Sequence, residues 1–181
     1  MGLSWQSTPH RILALGDRSQ PAHDAVQALA PNFAIRILEA PRRADPRRYG
    51  FATDAGDWYV ESDMGPDPHA FHLSLAALET SLLEVRDGAA VLFGVGQGAV
   101  LSLSLACCWS ERLAAVVACG GNLPTLPAGG LLERPLSGLP ILCVGASSAS
   151  TKQLLARGAC VTESALRDAT GIATWLHEIL R

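Results

Sequence analysis

Residues 91–98 read Val-Leu-Phe-Gly-Val-Gly-Gln-Gly, an apolar run that ends in a cluster of glycines. Apolar residues without polar alternation are typical of a strand buried on both faces. A helix-like stretch, residues 97–109, follows at once. The pattern therefore predicts a strand, a sharp glycine turn and a helix, and this unit decides the fold.

Similar apolar runs recur along the rest of the chain and alternate with helix-like stretches. They predict strands at residues 12–15, 33–38, 89–93, 114–119, 141–144 and 159–161. Helices are predicted at residues 21–30, 68–85, 97–109, 151–157 and 167–180. This alternation is typical of an α/β fold with a doubly wound, mainly parallel sheet and helices on both faces. With 181 residues and no internal repeat, the chain is predicted to form a single domain over residues 1–181.

Two segments interrupt the alternation of strands and helices. Residues 40–67 and 122–139 are rich in proline and glycine, so we expect surface loops at the rim of the sheet. Ligands of open α/β sheets bind outside the carboxyl ends of the strands. The two loops and the glycine turn at Gly96 should therefore meet where a ligand would bind.

The net charge and the apolar runs of the chain limit which partners and which cellular compartment are expected. A net charge of -3 gives no field that would attract nucleic acid or an anionic membrane. Residues 1–10 do not resemble a secretory signal, and no apolar run approaches the roughly 20 residues needed to span a bilayer. We therefore expect a cytoplasmic location, with no nucleic-acid partner and no membrane span.

The cysteines are odd in number and lie within apolar strand or helix patterns. They are Cys107, Cys108, Cys119, Cys143 and Cys160. In such patterns a thiol behaves as a small apolar side chain, and the spacing matches no metal site. We predict reduced thiols in the core, no bound metal and no cofactor.

The turn around Gly96 has the frame of a nucleophile elbow, which is written Gly-x-Ser-x-Gly. Gly94 and Gly98 hold the two glycine positions, but Gly96 stands where the serine would be. Glycine has no side chain and cannot form a covalent acyl-enzyme. The turn is therefore predicted to keep its geometry without a nucleophile.

Several segments in order and at similar spacing resemble the phospholipase/carboxylesterase family of α/β-hydrolases. They are Ile12-Leu13-Ala14-Leu15-Gly16, Glu39-Ala40-Pro41, Gly94-Val95-Gly96-Gln97-Gly98-Ala99, Ser110-Glu111-Arg112-Leu113-Ala114-Ala115-Val116-Val117 and Gly120-Gly121-Asn122-Leu123-Pro124. In that family the elbow is typically Gly-Phe-Ser-Gln-Gly, and the resemblance implies an α/β-hydrolase-like fold. It also implies that the catalytic serine corresponds to Gly96.

The resemblance locates the other catalytic positions as well, and the chain departs from the family at each. The triad acid corresponds to Ala149, and the Gly-His pair expected after the last strand is absent from residues 160–168. His177 is predicted to be an ordinary histidine of the terminal helix. Where the family has His-Gly after the first strand, Asp17 would oppose a developing oxyanion unless Arg18 neutralises it.

These departures predict a catalytically inactive relative that binds a small acyl or anionic ligand or a protein partner. The candidate ligand-binding residues are Asp17, Arg18, Trp58, Gly96, Gln97 and Asn122. A homodimer is left open, because an apolar helix face can belong to a core or to an interface.

Two other functions remain alternatives. One is a weak esterase or thioesterase in which a bound water replaces the serine. The other is nucleotide or anion binding at residues 94–98, because residues 94–99 also match Gly-x-Gly-x-x-Ala after a strand. The acidic residue expected about 20 positions later is missing from that nucleotide pattern.

His69 and His72 are three residues apart on a predicted helix, with Asp67 nearby. Two histidines and a carboxylate can bind zinc. The favoured interpretation is a helix start, with Asp67 as the N-cap and Pro68 at the first helical position.

Overall fold

The structure is a computed structural model that describes most of the chain. The described residues are 11–15, 27, 29, 33–38, 40, 57–62, 65–86, 88–124, 134–164 and 169–181. The candidate ligand-binding residues Asp17 and Arg18 lie outside them.

A six-stranded parallel sheet forms the centre of the fold. Its strands are β1 Arg11–Leu15, β2 Ala34–Leu38, β5 Ala90–Val95, β6 Leu113–Cys119, β7 Pro140–Val144 and β8 Cys160–Ser164. They lie in the order β2-β1-β5-β6-β7-β8. A separate antiparallel pair consists of β3 Glu61–Ser62 and β4 Gly65–Pro66. All six predicted strands are thus present, and β2 and β8 lie at the edges of the sheet.

Four complete helices are described, α1 Pro68–Leu83, α2 Gln97–Trp109, α3 Ser148–Ala156 and α4 Ala169–Ile179. Gln27 and Leu29 are also helical, within the helix predicted at residues 21–30. Helix α3 begins three residues earlier than predicted because Ser147 is its N-cap, and the Ser147 side chain accepts a hydrogen bond from Ser150 N at 3.2 Å.

Side chains alternate between the two faces of the sheet, and helices cover both. On one face Leu13, Leu92 and Val116 belong to the core that includes buried residues of α1, α2 and α3. On the other face Ile12 and Val91 belong to a second core, which includes Leu29, Ile172 and Leu176. The doubly wound arrangement with helices on both faces is confirmed.

The prediction of a surface loop at residues 40–67 is wrong for part of that segment. Trp58 and Tyr59 are only 3% and 1% exposed, and the Tyr59 ring meets Phe71 edge-on with centroids 5.2 Å apart. Burial of large aromatic side chains is strongly favourable, because each one removes a large apolar area from water. The second expected loop, residues 122–139, likewise buries Leu136 and Leu139.

The cysteines are all free, but they are not all in the core. Cys107 and Cys143 are buried, whereas Cys160 is exposed. The prediction of core thiols is wrong at Cys160, because the sheet order places its strand, β8, at the edge.

Thiol reactivity should follow this difference in environment. Burial, and then the nearby charge of Glu163, raise the pKa of Cys143 to about 11, which leaves about one thiolate in a thousand at pH 8. In the folded protein we expect iodoacetamide to modify Cys160 and to leave Cys143 unmodified until the chain unfolds. Mass spectrometry of peptides from native and denatured samples measures this, and equal native rates would contradict it.

Candidate functional site

The candidate site is the turn between β5 and α2, at the carboxyl edge of the sheet. Gly96 occupies its tip with φ 56° and ψ −121°, a conformation that residues with a side chain adopt at a cost. Gly96 N donates to Cys119 O at 2.9 Å, and Gly96 O accepts from Ala99 N at 3.0 Å. These bonds join the tip to β6 and to the first turn of α2.

The glycines on either side of the tip are required by close packing. A Cβ atom at Gly98 would lie 2.1 Å from Leu15 O, and one at Gly94 would lie 2.3 Å from Gly98 O. From the loop after β6, Gly121 approaches so closely that a Cβ there would lie 2.5 Å from Ala99 Cβ. The glycine frame therefore has a structural cause that is independent of catalysis.

Gln97, the residue after the tip, uses its side-chain amide to hold a distant segment. Its Oε1 accepts from Trp58 N at 2.9 Å and from Tyr59 N at 3.3 Å, and its Nε2 donates to Tyr59 O at 3.0 Å. Ser74, buried on α1, donates to Trp58 O. The first residue of α2 and the middle of α1 thus bind the same short stretch of backbone.

The candidates Trp58 and Gln97 are brought together, but largely to serve the fold. The Trp58 side chain is buried, and the polar atoms of the Gln97 amide are engaged by backbone. This pairing was not predicted from the sequence. Its only sequence signal is a glutamine at the first helical position, which does not reveal a partner 39 residues away.

Asn122 joins the loops that follow β6 and β7. Its Oδ1 accepts from Ser147 N at 2.6 Å, and the neighbouring Leu123 N donates to Ser150 Oγ at 2.7 Å. This candidate therefore lies at the carboxyl edge as expected, where its carbonyl oxygen connects two parts of the rim.

The position expected for a triad acid lies in the first turn of α3. Ala149 is exposed there, and residues 145–149 contain no carboxylate. The polar side chain of Ser147 in this stretch caps the helix. This part of the rim offers no carboxylate that could orient a histidine.

His177 lies near the amino ends of the strands, whereas the glycine turn lies at their carboxyl ends. Its ring is 5.0 Å from the ring of Phe33, which directly precedes β2 and so marks the amino edge. Gly96 follows the last residue of β5 and so marks the carboxyl edge. Because the strands are parallel, His177 is far from the turn.

The interpretation of residues 67–72 as a helix start is confirmed. The Asp67 side chain accepts from Ala70 N at 2.8 Å, and α1 begins at Pro68. His72 Nδ1 lies 2.5 Å from Pro68 O. Within the described part of the chain, no three histidine, cysteine or acidic side chains are grouped as a metal would require.

A helix that could cross a bilayer is also missing from the described residues.

The parallel sheet with helices on both faces and the sharp strand-to-helix turn at its carboxyl edge match an α/β-hydrolase-like fold. Solved structures share this fold over almost their whole length. A phospholipase/carboxylesterase from Dyadobacter fermentans has a TM-score of 0.68 at 18% identity, covering 100% of this chain and 94% of its own.

Two further structures are as similar. SOBER1 from Arabidopsis thaliana has a TM-score of 0.70 at 16% identity, covering 96% of this chain and 100% of its own. The carboxylesterase from Bacillus cereus has a TM-score of 0.71 at 14% identity, covering 96% and 89%. No family model and no curated protein matches the sequence. The resemblance to phospholipase/carboxylesterase proteins is therefore confirmed at the level of the fold.

Proposed function

We propose that this chain is a non-catalytic α/β-hydrolase-like protein that acts by binding. The observation that carries the proposal is Gly96, which has the backbone conformation of an elbow tip at φ 56° and ψ −121° but no nucleophilic side chain. A serine mechanism needs an oxygen nucleophile at that point, activated by a histidine and oriented by an acid.

The surroundings of the tip support the same proposal. Ala149 stands at the position corresponding to the acid, and His177 lies beyond reach at the other edge of the sheet. The amide oxygens of Gln97 and Asn122 accept hydrogen bonds from backbone N–H groups. Side chains that could have served chemistry at this edge instead stabilise the rim.

For the partner, we propose a small acyl or anionic ligand, or a protein that contacts the rim. The backbone N–H groups of Gln97 and Gly98 belong to the first turn of α2, where a helix provides no acceptor of its own. Helix starts favour carboxylate and phosphate groups. Asn122, which is exposed, flanks the same edge as a candidate contact, whereas the buried Trp58 side chain does not reach the surface there.

Hydrolysis assays on the unmodified protein and a Gly96→Ser variant test the loss of catalysis. With p-nitrophenyl acetate and butyrate, and with an acyl thioester, we expect neither protein to exceed the buffer rate. The variant should remain folded, although a side chain at this φ costs roughly 1–3 kcal/mol of stability. A serine-directed fluorophosphonate should label neither protein.

Turnover by the unmodified chain that persists through a second purification and changes in the Gly96→Ser variant would contradict the proposal. It would favour the alternative in which a bound water attacks the ester. An unchanged rate in the variant would instead identify a contaminating esterase, because a serine at the tip alters the site itself.

Ligand binding is tested separately, by thermal shift with butyrate, phosphate and a nucleotide. A ligand that binds the folded state raises the melting temperature in a saturable way. We expect butyrate or phosphate to do so, and the shift to weaken in the Gly96→Ser variant. If none of the probes shifts the unmodified chain, a protein is the remaining proposed partner, and the mass in solution shows whether it is a second copy.

A further inference from the structure

We draw no further inference here: the strongest candidate, the exposed and largely apolar face of helix α1 around Leu73 and Leu83, carries nothing because nothing in the structure shows what covers it.

Discussion

Replacing Gly98 with alanine is expected to lower the free energy of unfolding by about 3 kcal/mol or more, since inserted atoms in a packed site usually cost 1–3 kcal/mol even where neighbours can move. The new Cβ would lie 2.1 Å from Leu15 O and 2.9 Å from Leu15 C. Both are backbone atoms of a central strand, so neither can rotate away. Relief requires α2 to move off β1.

Local propensity predicts the opposite result for the same change. Gly98 is the second residue of α2, and alanine is favoured over glycine in a helix by up to about 1 kcal/mol. The sign of the measured effect therefore separates helix propensity from packing. Only the approach of α2 to β1 makes the substitution destabilising.

Gly88→Ala is the matched control, because it adds the same methyl group where no atom lies within 4 Å. Its cost should be only the roughly 1–2 kcal/mol of a left-handed backbone at φ +86°. Urea denaturation followed by circular dichroism measures both variants. If Gly98→Ala were as stable as the unmodified chain, the close contact between α2 and β1 would be wrong.

Gln97→Ala is expected to lower the free energy of unfolding by about 2–4 kcal/mol, because it removes three hydrogen bonds to partly buried backbone groups. The groups affected are Trp58 N, Tyr59 N and Tyr59 O. The bond from Ser74 to Trp58 O remains.

Hydrogen exchange shows which residues are destabilised, whereas denaturation gives a single free energy of unfolding for the whole chain. In the Gln97→Ala variant the Trp58 and Tyr59 amides should exchange faster by a larger factor than amides of β7. Gln153→Ala removes the same amide from an exposed position on α3, and its stability should be within about 0.5 kcal/mol of the unmodified chain. Equal effects of the two variants would show that the Gln97 bonds contribute little.

The order of strands and helices could be predicted from sequence because each element has a local signal. Apolar runs of strand length located all six strands of the main sheet, and an N-cap with a following proline located the start of α1 at Asp67 and Pro68. The glycine turn could also be predicted, since Gly94, Gly96 and Gly98 lie within one short stretch. That Gly96 has no side chain needs no structure at all.

Long-range contacts were beyond this local information. Gln97 meets Trp58 across 39 positions, and Asn122 meets Ser147 across 25. Nothing in a run of proline and glycine reveals that Trp58 and Tyr59 will be buried, or that β8 will leave Cys160 exposed at an edge. Sequence alone determined the elements and the glycine at the tip of the turn, because these depend on neighbouring residues. Tertiary structure decided which polar groups stabilise the fold, because their partners are brought together only when the sheet and its helices pack.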